Sequence, residues 1–186
     1  MRGGKIFVRD NAGYRAGIHM KAYEDKIPVL VIGGKAGSFL GEYQAGGIII
    51  VLGINCDKNT PPVGHFCGTG MHGGKIYICT EKLPLNLPAQ VSAKKATSDD
   101  IDEIKDLLKE YCGNFDYDIS NIINKSFYVL TPNSQNPYKR LYTNNIPIHL
   151  TANAATQAIA HCANTTNTAH FQPSSRFTDA MAATHG

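Results

Sequence analysis

One glycine pair recurs three times in the first half of this chain: Gly13-x-x-x-Gly17, Gly37-x-x-x-Gly41 and Gly64-x-x-x-Gly68, spaced 24 and then 27 residues apart. Three residues after each pair stand Met20, Gln44 and Met71. Short apolar runs precede the pairs: Ile6-Phe7-Val8, Val29-Leu30-Val31-Ile32 and Ile48-Ile49-Ile50-Val51-Leu52. A fourth unit opens at Gly73-Gly74-Lys75-Ile76-Tyr77-Ile78 and goes no further. A repeat that cannot bury its own apolar face must stack on copies of itself. A chain built this way is therefore a stack before it is anything else.

Each unit reads as a short strand, a glycine turn, a second extended piece and another turn, which is an all-β pattern. A hexapeptide coil repeats at about 18 residues per turn. The longer spacing seen here predicts a wide, right-handed parallel β-helix over residues 1–80, with aliphatic ladders inside it. Gly13, Gly17, Gly37, Gly41, Gly64, Gly68, Gly73 and Gly74 are assigned as its structural corners. Positive φ or close backbone approach would exclude a Cβ there. The charged stretch Lys21 to Lys26 and the turn-rich stretch Asn55 to Pro62 are read as insertions.

Residues 81–97, with Pro84 and Pro88, read as a linker. The period then changes: Ile101, Ile104, Leu107, Leu108, Tyr111 and Phe115 recur at helical spacing. Ser98 is the expected N-cap and Gly113 the expected stop. Asp99, Asp100, Asp102 and Glu103 suit the positive end of the helix dipole. A second helix is expected over Tyr117 to Asn124, then an extended segment from Phe127 to Leu130. Residues 81–142 are thus read as packing on the coil, with the main helix covering a side or end of it. From Thr143 the chain turns rich in Ala, Thr, Asn and His, with Arg176 and Asp179 its charged residues. Residues 143–186 read as a low-complexity, disordered tail.

A net charge of +3 over 186 residues is too small to point to nucleic acid or an acidic membrane surface. No apolar stretch reaches the roughly 18 residues of a membrane span, and the start lacks the apolar core of a secretory signal. The five cysteines are odd in number and widely spaced, with no C-x-x-C. A cytoplasmic protein with free buried thiols is the reading.

Candidate chemistry is sparse. Gly33-Gly34-Lys35-Ala36-Gly37 lacks the P-loop spacing. Gly68-x-Gly70-x-x-Gly73 spells a dinucleotide fingerprint, but it precedes a strand rather than a helix. His19, His65 and His72 lie near the corners at different offsets, so they would not align in one ladder. With Cys67 they match no metal spacing. As a nucleophile and base they lack a nameable orienting acid or oxyanion donor. The reading assigns no catalytic, cofactor-binding or metal residue.

The stretches Gly3 to Gly17, Val31 to Gly37, Gly41-Glu42-Tyr43 and Cys67 to Gly74 resemble the GxGxG repeat of the C-terminal β-helix domain of the glutamate synthase large subunit. The ending Asn136-Pro137-Tyr138-Lys139-Arg140-Leu141-Tyr142 is similar to that of stand-alone prokaryotic versions, and the likeness covers about residues 2 to 142. Met1 falls where an internal Met of a repeat would stand, so the chain is read as an N-terminally truncated copy. The resemblance implies a non-catalytic scaffold in glutamate biosynthesis and ammonia assimilation. FMN and the iron–sulfur cluster would be on partner domains, and the partners would be the central FMN-binding and glutaminase subunits. Two alternatives stand beside it: a subunit of formylmethanofuran dehydrogenase, and a β-helix enzyme with a groove site. The strands are nearly free of charge, which counts against the second.

Overall fold

The computed structural model describes residues 1–57, 59–84 and 86–133. The expected tail over 143–186 and the Asn136–Tyr142 ending lie outside the described residues. The strands are β1 (Lys5–Val8), β2 (Val29–Ile32), β3 (Ala45–Val51), β4 (Gly73–Cys79), β5 (Val91–Lys95) and β6 (Phe127–Pro132). Helix α1 spans Ser98–Phe115 and the short α2 spans Ser120–Ile123. The six strands form one sheet in the order β1-β2-β3-β4-β6-β5. β1 to β4 run parallel, and β6 is antiparallel to both β4 and β5.

This corrects the expected fold. The chain is not an all-β parallel β-helix; it is a single mixed sheet with a helix layered on it, an α/β arrangement. Two physical reasons stand out. Opposite the sheet, the glycine turns meet through the single-residue bridges Ala12↔Ala36 and Ala36↔Val63 rather than through a second sheet. The spacing was also misleading. Lys5 pairs with Val29, Val29 with Ile48 and Ile48 with Lys75, so successive strands are 24, 19 and 27 residues apart. The step without an insertion is the 19-residue one. The other two carry the turn at Tyr23–Lys26, closed by Tyr23↔Lys26 pairing, and the Asn55–Pro62 excursion. The wide period reflected these loops rather than the unit itself.

Alternate residues on each strand face opposite sides, and both sides are dry over β2, most of β3 and the end of β4. On one face Val29, Val31, Ile50, Leu52, Tyr77 and Val129 pack against Ile104, Leu108 and Tyr111 of α1. On the other, Leu30, Ile32, Ile49, Val51, Ile76 and Ile78 pack against Met20, Leu40, Cys67 and Met71 from the glycine turns. A strand buried on both faces must be apolar throughout, which accounts for the unbroken Val29-Leu30-Val31-Ile32 run.

The helix begins at Ser98, so its cap lies one residue before the expected one. Thr97 is the N-cap, and its side chain accepts from the Asp100 backbone N–H while the Asp100 carboxylate accepts from Thr97 N. This reciprocal capping box satisfies two amides that the first turn leaves open. Gly113 lies inside the helix, and the stop comes at Asp116 in left-handed geometry. The expected linker contains β5, a strand missed because Val91-Ser-Ala-Lys-Lys has little β-forming character.

Candidate functional site

The glycine pairs stack into a column beside the sheet, and their two members do different work. Gly17, Gly41 and Gly68 have φ of +66°, +65° and +75°, a region that L side chains enter only with strain. Gly13, Gly37 and Gly64 do not. At Gly37 and Gly64 the constraint is close approach between units, while Gly13 has neither positive φ nor a neighbour within 4 Å of its Cβ position. A Cβ on Gly37 would lie 2.8 Å from the carbonyl carbon of Gly13, and one on Gly64 would lie 2.6 Å from the Ser38 nitrogen. Hydrogen bonds run between successive units through the same residues. Gly37 and Gly41 donate to the carbonyls of Ala12 and Ala16, and Gly64 and Gly68 donate to those of Ala36 and Leu40. Gly73 and Gly74 open β4 against Ala45 and Gly47, where a Cβ would lie 2.4–2.6 Å from backbone or Gln44 atoms.

Gln44 occupies the position that Met20 and Met71 fill in the other units. It is fully buried, and its Nε2 donates to the Gly47 carbonyl at 3.0 Å. The amide therefore holds the bulged entry to β3, a structural task for a buried polar group.

Sequence reasoning missed an aromatic ladder on the outer surface of this column. Phe39 packs on Tyr14 at 5.5 Å and on Phe66 at 5.1 Å between ring centroids, and His19 stacks on Tyr43 at 5.2 Å. Arg15, Phe39 and Phe66 share one offset from their glycine pairs and φ near +60°; His19 and Tyr43 share another, also left-handed. Such backbone costs a bulky residue about 1–2 kcal/mol; the first two turns carry it twice and the third once, at Phe66, since Gly70 takes the second place there. Comparing units at fixed offsets would have revealed the pattern.

The expected histidines are dispersed. His65 contacts Asn86, His72 lies 3.2 Å from the Gly70 carbonyl, and His19 stacks as above. Burial pushes the Cys67 thiol up to about 12 and the Cys79 thiol to about 11, far from a reactive thiolate. Cys67 belongs to the glycine-turn face of the sheet, while Cys79 and Cys112 belong to the helix face. The sheet separates them, so these thiols do not fit as ligands of one iron–sulfur cluster. The Gly33-Gly34-Lys35 loop likewise does not fit a flavin phosphate. Its Gly34 N–H is spent on the Asp10 carbonyl and its Lys35 N–H on Asn11 Oδ1. A cleft of about 400 Å³ lies between the Asn55–Pro62 excursion and the end of β4, lined by Cys56, Asp57, Cys79, Glu81 and Lys125.

The family model for the GXGXG motif matches residues 1–134. The chain belongs to the GXGXG motif family. An uncharacterized protein of Methanocaldococcus jannaschii is 48% identical to it over 138 residues, which cover 72% of this chain and 53% of that protein. The chain thus spans about half the length of that relative. Within this GXGXG domain, the motif glycines are the residues through which one unit meets the next. No helix among the described residues is long and apolar enough to cross a membrane.

Proposed function

We propose that this GXGXG domain is a non-catalytic scaffold component of a glutamate synthase-like oxidoreductase serving glutamate biosynthesis and ammonia assimilation. GXGXG domains are found in glutamate synthase and related multi-subunit oxidoreductases. The observation that carries the reading is how the polar and reactive groups of the repeat are used. The Gln44 Nε2 is committed to backbone carbonyls, the amides of Gly37, Gly41, Gly64 and Gly68 to the preceding units, and Cys67 to the core. What the domain offers outward is shape: a rigid column edged with exposed aromatic rings, the kind of surface that protein partners use. In this reading the flavin and the iron–sulfur cluster sit on the partner subunits, and the partners are the central FMN-binding subunit and the glutaminase subunit.

The test is reconstitution. The chain is co-expressed with the FMN-binding and glutaminase subunits encoded in the same genome, the complex is isolated, and glutamine-dependent glutamate formation is measured. The reading expects a ternary complex whose glutamine-dependent rate falls when this chain is left out. Identical assembly and rate without the chain would sink it.

A further inference from the structure

The repeat accounts for the glycine column but not for the excursion after β3. The step from β2 to β3 takes 19 residues and the step from β3 to β4 takes 27, because the Asn55–Pro62 excursion is added. That added segment builds one wall of the cleft of about 400 Å³. The cleft lies beyond the carboxyl ends of the parallel strands β3 and β4, the end of an α/β sheet at which ligands bind. Its other wall is the turn entering β6, tied to the end of β4 where the Thr80 N–H donates to the Ser126 carbonyl at 3.0 Å. Gly53 has φ of +60°, and a Cβ there would lie 3.0 Å from the Pro62 Cβ, so glycine is what lets Pro62 seat against the strand end.

The lining is sorted by polarity. Leu52, Pro62 and Cys79 are buried, whereas Asp57, Glu81 and Lys125 are exposed. The floor is therefore apolar and the rim charged, with both signs present. Among the described residues, none of these three charged side chains is in an ion pair. Both acids stand on braced backbone. Asp57 Oδ1 accepts from the Asn59 N–H at 2.9 Å. The Thr80 hydroxyl donates to the Lys82 carbonyl and accepts from the Lys82 N–H, which fixes the bend carrying Glu81.

We propose that this cleft binds a free apolar α-amino acid. The ligand's carboxylate meets Lys125, its ammonium meets Glu81 and Asp57, and its aliphatic side chain covers Leu52, Pro62 and Cys79. The charge pattern selects this class. An apolar carboxylic acid would answer Lys125 but bring its charge against two carboxylates, and an apolar amine would face Lys125 with a like charge. A zwitterion with a hydrocarbon side chain answers rim and floor together. The volume falls within the range of about 300–1,000 Å³ that small-molecule sites occupy.

The test is titration of the full chain followed by amide NMR, reading Gly53, Cys79 and Thr80. The ligands are leucine, isocaproate, which lacks the amine, isoamylamine, which lacks the carboxylate, and glycine, which lacks the side chain. Leucine is expected to bind at least about tenfold more tightly than each of the other three. Glu81→Gln should remove most of its advantage over isocaproate, and Lys125→Met most of its advantage over isoamylamine. Both side chains are exposed and outside the strands and helices, so the spectrum away from the cleft should stay unchanged in both variants. No leucine-dependent shift at about 20 mM, where a ligand of even millimolar Kd saturates its site, overturns the proposal. So does equal binding of leucine and isocaproate, which assigns the cleft to apolar acids, or leucine binding untouched by both substitutions, which places it elsewhere. The readout lies within this chain, so failure to assemble with glutamate synthase subunits leaves it standing.

Discussion

The first and second glycine-pair units carry the same pattern, an apolar strand followed by Gly-x-x-x-Gly, yet one is half wet and the other dry. Phe7 and Val8 of β1 are only partly buried, while every residue of β2 is buried. The difference teaches that the motif encodes how one unit meets another and does not itself supply burial. Burial comes from the neighbours: β2 has a strand on both sides and α1 across one face, and β1 has a strand on one side only.

The comparison can be broken most sharply at the register position shared by Ile49 and Ile6. Ile49→Ala is expected to cost about 2–5 kcal/mol, as a large-to-small change in a closed core. Ile6→Ala should cost under about 1 kcal/mol in the same chain, since half its surface is already in water. Urea unfolding of both variants checks this, and equal losses would show that β1 is covered in solution.

Next come the glycines. Gly41→Ala combines positive φ with a Cβ 2.8 Å from Ile76 Cδ1, and a loss of about 1–3 kcal/mol is expected. Gly13→Ala meets open space and ordinary backbone, so its midpoint should move by no more than about 0.5 kcal/mol in either direction.

A smaller effect tests the tie between the helix layer and the first unit. Tyr111 is buried, and its hydroxyl donates to the Arg9 carbonyl at 3.0 Å just beyond β1. Tyr111→Phe should cost about 1 kcal/mol, with faster amide exchange in β1 than in β3. Uniform acceleration across the sheet would mean that the bond does not anchor β1 in particular.

The acid limb reports on the capping box. The Thr97 backbone N–H, followed by Lys94, holds the Asp100 carboxyl down to about 2. A depressed folded value means the stabilisation is present above the unfolded carboxylate pKa of about 4 and is lost as pH falls toward 2. Asp100→Asn should therefore lower stability at neutral pH and flatten its decline between about pH 4 and 2. An unchanged acid profile would rule out this linkage. The smallest perturbation is chemical. Half-buried Cys56 should react with a thiol reagent in the native protein well before Cys67, which is 1% exposed; equal rates would contradict the packing.

Much of the chain could be read one segment at a time. The strands at Ile6, Val29 and Ile48, the helix from Ile101 to Phe115 and the extended Phe127 run follow from periodicity, because side-chain alternation is a local property. The capping box was harder, since Ser98 and Thr97 are equally suitable letters and only backbone direction chooses between them. The fold class was misread because insertions of different length hid the 19-residue unit, and because β5 and β6 join by pairings distant in sequence. The aromatic ladder escaped for a related reason: its members are neighbours only after stacking.

The sequence by itself determined that apolar strands and glycine pairs recur and that a helix follows them. Those outcomes depend on steric and hydrophobic rules acting within a few residues. Only the tertiary structure decided that the units form one face-covered mixed sheet, that Thr97 caps α1 through Asp100, and that Ile6 is wet where Ile49 is dry. Each of these depends on what lies across space from a residue, and identical local patterns leave that open.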